Sequence, residues 1–153
     1  MSTNPKQQAN SNHVRVLESE LYEPVSNLSL FRAQMVCMAR EVTFGRKRVD
    51  LVGLNSRGDL IAIEFKVRDW RRVLWQASIN QLFADFSYVA VWHTALRFID
   101  RLQLKQKGIG LISISDCGAR TIRRASRSPI RSPVHHEAVL QQLRPVPDQG
   151  AAT

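Results

Sequence analysis

Residues 48–67 constrain the fold most tightly, because two apolar runs, RVDLVGL and DLIAIEFKV, flank the cluster NSRG. Asn, Ser and Gly in that cluster favour a tight reversal, so the runs are expected to pair as an antiparallel hairpin. A strand sends successive side chains to opposite faces. Ile61, Ile63, Phe65 and Val67 therefore share one face while Glu64 and Lys66 share the other. Asp50, between Val49 and Leu51, is placed to reach the Glu64 face across the hairpin.

The flanking sequence supplies further elements. Leu17, Leu21, Val25, Leu28, Phe31, Met35 and Met38 recur at spacings of three and four, the stripe of a helix lying on a core. Pro24 interrupts it, which predicts a kink, or a short turn before a helix that carries Pro24 in its first turn. Residues 41–44 read as a short strand. Helical spacing returns over 70–86 through Val73, Leu74, Ala77 and Leu82, with Asp69 as cap. Residues 87–93 and 110–115 are compact apolar runs typical of buried strands. Between them 95–107 is expected to form one helix ended by Gly108. A helix feeding a buried strand indicates an α/β layer structure with a mixed sheet flanked by helices.

At 153 residues with 44% apolar content, the chain suits one domain. Residues 1–13 read as a disordered polar leader, 14–118 as the ordered domain, and 119–153 as a basic, partly ordered extension in which 138–143 can close as a short helix. No apolar run is long enough for a membrane span, and no secretory signal is recognisable. Cys37 and Cys117 form no disulfide or zinc pattern, and His13, His93, His135 and His136 read as ordinary surface residues. An intracellular, cytoplasmic setting is expected, with association with the nucleoid open.

The charge points to a polyanion. The net charge is +9, and residues 119–133 hold Arg120, Arg123, Arg124, Arg127 and Arg131 with no acid among them. Arg46, Lys47 and Arg48 form a second cluster beside the hairpin. Cations near phosphates release condensed counterions, so nucleic acid is the natural partner, although a basic tail also serves solubility alone.

Two carboxylates at one strand junction repel unless a cation lies between them, and oxygen donors suit a hard ion such as Mg²⁺ or Mn²⁺. Lys66 would then stabilise charge on a phosphate. From periodicity alone the plainer reading is a Glu64–Lys66 ion pair on a solvated face, with Asp50 unrelated.

Asp50, the hairpin, Glu64, Phe65 and Lys66 resemble the PD-(D/E)xK motif of the restriction-endonuclease-like superfamily, with VD written for PD. The resemblance spans roughly residues 18–115. It implies an α/β restriction-endonuclease-like core of order α-β-β-β-α-β and a metal-dependent nuclease acting on DNA. It also implies Mg²⁺ or Mn²⁺ held by Asp50, Glu64 and the Phe65 main chain. An acid from the first helix would join them, Glu20 first, with Glu18 and Glu23 as competitors. Gln76 and Ala77 match a Gln-Ala pair in the following helix, which implies a phosphate-binding or lysine-positioning role for Gln76, with Gln81 as fallback. A homodimer that cuts both strands is a further implication. A catalytically silent binding or scaffolding module on the same fold is the alternative, as is a protein-partner module of a larger assembly.

Arg71 and Arg72 sit where a phosphate backbone could approach, or on a solvated helix face. Trp70, Trp75 and Trp92 could stack on bases, but their periodic apolar positions favour the core.

Overall fold

The structure, a computed structural model, describes residues 16–28 and 35–143. Six strands form one mixed sheet in sequence order: β1 (Met35–Phe44), β2 (Lys47–Asn55), β3 (Leu60–Lys66), β4 (Phe86–Trp92), β5 (Gly110–Ser115) and β6 (Gly118–Arg123). β1, β2 and β3 pair antiparallel, β3, β4 and β5 pair parallel, and β6 returns antiparallel to β5. Each parallel step needs a crossover. Helix α2 (Trp70–Asn80) joins β3 to β4, and α3 (Arg101–Lys107) joins β4 to β5. Before the sheet, a 3-10 turn (Glu18–Leu21) runs into α1 (Tyr22–Ser26), and after it comes α4 (Pro133–Leu140). Among the described residues no helix is long and apolar enough to cross a membrane.

Strand alternation sorts the core by face. Leu51, Ile61, Ile63, Phe65, Tyr88, Ala90, Ile112 and Ile114 pack with Leu21 and Val25 on one side. On the other, Leu60 and Ala62 meet Phe83 and Val139, while Val89, Val91 and Leu111 meet Val73 and Ala77 of α2 and Leu104 of α3. The central strands are apolar on both faces because helices cover both. Glu64 continues the Leu60–Ala62 row and therefore faces α2.

Several sequence expectations are corrected. Met35 and Met38 lie in β1, not on a helix; the register shift between Met35 and Cys37 lets two methionines three residues apart pack on the same face of the sheet; Phe31 and the 1–13 leader fall outside the described residues. The helix after β3 stops at Asn80, and Phe86 opens β4. The expected 95–107 helix is two pieces, a 3-10 turn (His93–Phe98) and α3, because Asp100 caps α3 by accepting from the N–H groups of Leu102 and Gln103, each at 3.1 Å.

The expected boundary at residue 118 falls inside the fold. β6 extends the sheet, its arginines suiting an edge strand that must resist pairing with other chains. The segment after it is pinned to buried Asp85, which receives Arg127 at 3.1 Å and Arg131 Nε at 2.8 Å, with His136 Nε2 at 3.3 Å. α4 then buries Val139, and Gln142 brackets Thr43 on the outer edge of β1, donating to its carbonyl at 2.7 Å and accepting from its N–H at 3.1 Å.

Candidate active site

β2 and β3 run in register from Leu54–Leu60 to Leu51–Ile63, and the next pair in that register is Asp50 and Glu64. The backbone ladder stops there. Asp50 Oδ2 instead accepts the Phe65 N–H at 2.8 Å, a carboxylate standing where a strand carbonyl would otherwise serve. The hairpin thus brings Asp50 and Glu64 together as the sequence implies.

Glu64 is buried, with 1% of its surface exposed. Its Oε1 receives the Lys47 ammonium and, at 2.8 Å, the Asn80 side-chain amide. Lys47 Nζ also donates to Asn80 Oδ1 at 2.6 Å and to the Gln76 carbonyl at 3.2 Å. Two buried oxygens of these residues, Glu64 Oε2 and Gln76 Oε1, have no hydrogen-bond partner. Burial is the main reason the Glu64 carboxyl is pushed up to about 7; Lys47 opposes the rise and the charge of Asp50 adds to it. Burial likewise lowers the Lys47 ammonium, against the attraction of Glu64 and Asp50.

The remaining expected residues divide. Lys66 Nζ leans away from Glu64 and pairs with Glu18 at 3.2 Å, so the amine on Glu64 is Lys47, a residue expected only to meet nucleic acid. Glu20 is not at the centre. Its carboxylate accepts the Leu17 N–H at 2.8 Å and closes its own turn, so Glu18 is the N-terminal acid tied to the site lysine. Gln76 comes to the cluster through its main-chain carbonyl, while its side-chain Oε1 is buried without a partner. Phe65 gives its N–H to Asp50 and buries its ring on the opposite face of the sheet. Asn80 was missed, although it stands one helical turn from Gln76 on α2, a spacing that marks a shared face.

Arg46, Arg48, Arg71, Arg72, Arg120 and Arg124 are exposed, while Arg123 is half-buried on β6. Arg48 stands 3.7 Å from exposed Glu41, and Arg71 lies over the Trp70 ring at 5.8 Å. A cleft of about 950 Å³ opens beyond the carboxyl ends of β3 and β4; Lys66 lines it, whereas Asp50 and Glu64 do not.

Among the described residues no three His, Cys, Asp or Glu side chains cluster as a metal cage. The donor set nevertheless suits a hard cation, because Mg²⁺ is commonly held by one or two carboxylates and completes its shell with water. An unpartnered oxygen on a buried acid fits that requirement.

In fold, the chain is similar to a protein of unknown function from Silicibacter pomeroyi, with a TM-score of 0.61 at 18% identity over 84% of each chain. A repair endonuclease from Pyrococcus abyssi is more distantly similar, with a TM-score of 0.45 at 14% identity over 75% of this chain and 49% of that one. No protein-family model and no curated protein matches the chain. The first likeness speaks for the α/β fold, a mixed sheet flanked by helices, and leaves the chemistry to the residues themselves.

Proposed function

We propose that the chain is a metal-dependent nuclease that hydrolyses phosphodiester bonds in DNA at Asp50, Glu64 and Lys66. The observation that carries this reading is the opened end of the β2–β3 ladder, where Asp50 is tied to β3 and Glu64 keeps one buried oxygen without a partner. Structural acids are normally satisfied, so a half-satisfied one beside a second carboxylate is an arrangement kept for something else.

Asp50 and Glu64 would hold Mg²⁺ or Mn²⁺, which when bound neutralises phosphate charge and makes water a better nucleophile. Lys66, released from Glu18, offers its ammonium to the phosphate oxygens whose charge grows as water adds to phosphorus and the bond to one sugar oxygen breaks. Asn80 and Lys47 hold the Glu64 carboxylate in place from α2 and β2. Exposed Arg46, Arg48, Arg71, Arg72, Arg120 and Arg124 would supply backbone affinity without reading sequence. A homodimer would place two such sites on opposite strands of a duplex, in a cytoplasmic, nucleoid-associated role.

One observation favours a second reading, a catalytically silent DNA-binding module: Lys47 already gives Glu64 the positive partner that a metal would provide. Purified protein incubated with supercoiled, linear and single-stranded DNA in Mg²⁺, Mn²⁺ or chelator separates the two. Metal-dependent cleavage that disappears in Lys66→Ala supports the nuclease. Salt-sensitive binding with no cleavage in either metal overturns it in favour of the module.

A further inference from the structure

We propose that the cleft beyond β3 and β4 binds unpaired nucleotides, so that the DNA offered to Lys66 is a single strand or a frayed end. This deepens the nuclease reading by naming its substrate class, but the binding itself requires no cleavage. The cleft is an open groove whose volume, about 950 Å³, stands at the upper end of the range of ligand sites, ~300–1,000 Å³. Its walls combine two chemistries. Trp70, Trp92 and Phe98 give aromatic surface, and Phe98 is 56% exposed, so much of its ring remains open to solvent.

Lys66, Arg68 and Arg97 give cations, against one acid, Asp69, whose carboxylate already takes the Arg72 N–H at 3.4 Å. The Arg97 guanidinium lies over the Phe98 ring at 4.7 Å, so a cation and a ring are already stacked at the rim.

Aromatic rings interleaved with cations are the combination single strands require. Unpaired bases offer a π-face to each ring while the backbone runs along the positive charges. Bases inside a duplex are stacked on their neighbours and offer no such face. An uncharged apolar ligand would leave Arg68 and Arg97 without a role, and an acidic peptide would leave the rings without partners. The groove also ends on Lys66, the last residue of β3, which connects whatever binds there to the proposed site.

The test uses the full chain in chelator, so that its result does not depend on whether the chain cuts DNA. Anisotropy of a labelled oligothymidine is compared with that of a blunt duplex of equal length, for the parent, Phe98→Ala, Phe98→Tyr and Arg97→Ala. Phe98→Ala is expected to weaken single-strand binding about tenfold, the loss of one stacked base. Phe98→Tyr restores the affinity, and neither change shifts duplex binding by more than about twofold. Arg97→Ala weakens the single strand and flattens its salt dependence. Equal weakening on single strand and duplex, or single-strand affinity indifferent to Phe98→Ala, overturns the proposal.

Discussion

Glu64 and Asp85 are both buried carboxylates, with 1% and 2% of their surface exposed, yet their surroundings are opposites. Asp85 is saturated. One oxygen accepts the Leu60 N–H at 2.8 Å, and Arg127, Arg131 and His136 converge on the same group. Glu64 spends both of its hydrogen bonds on Oε1 and leaves Oε2 bare. An acid that anchors a fold gathers partners until its desolvation is offset; an acid that must exchange partners cannot. Burial alone therefore does not tell the two acids apart, whereas the bare oxygen of Glu64 does.

The sharpest way to break this contrast is to remove each acid in turn. Asp85→Ala leaves the Leu60 N–H and Arg131 without an acceptor, leaves Arg127 to Asp59 alone, and loosens the segment that carries α4. We expect a loss of about 4 kcal/mol in urea unfolding, together with protease cuts between β6 and α4. A loss under about 1 kcal/mol would mean that Asp85 does not anchor that segment.

Asp50→Asn should do the reverse. The amide oxygen can still accept the Phe65 N–H, so the urea midpoint should scarcely move, while metal-dependent cleavage falls at least ~100-fold. Cleavage retained in this variant would remove Asp50 from the chemistry.

Much of this arrangement was legible in the sequence, for reasons that also explain the failures. β3 and β5 are visible because strands covered on both faces are almost wholly apolar, and the Asp50–Glu64 pairing follows from a turn that fixes register. β6 was not visible, because an edge strand carries its charges where a tail would. The docking of the tail depends on Asp59 and Asp85, acids from the turns before β3 and β4, and nothing in the Arg spacing shows that they are within reach of Arg127. The two lysines fail differently. Alternation fixes where a Cβ points, not where a long, flexible chain delivers its ammonium, so Lys66 ends on Glu18 and Lys47 on Glu64.

Lys47 sharpens the comparison in a pH-dependent way. The Glu64 carboxyl, normally near 4.5, is raised to about 7 in the fold, so between those values the folded chain holds a proton that the unfolded chain releases. This group therefore makes stability fall as pH rises through that window and adds no further slope above it. Lys47→Met removes the main force opposing the rise, and the window should extend upward. We expect a loss of about 3 kcal/mol at pH 8, where an unpaired carboxylate must be buried or protonated, and much less at pH 5, where Glu64 is already neutral. A penalty equal at both pH values would show that Lys47 acts through packing and not through the charge of Glu64.

The smallest effect belongs to the Asp85 side of the comparison. Asp59 is held below its ordinary 3.8, chiefly by the hydrogen bond from Arg127, at 2.9 Å, with burial working against it. A depressed carboxyl contributes stability that is present above its unfolded value and is lost as pH falls through its folded value. Arg127→Gln should accordingly cost a small amount of stability at pH 7, where Asp59 is ionised, and raise the midpoint of acid unfolding slightly; both effects stay small because Arg127 is exposed and Asp85 keeps Arg131. An acid midpoint that does not move would place the whole anchoring role on Asp85, whereas a large loss at neutral pH would make Arg127 as integral to that anchor as Asp85 itself.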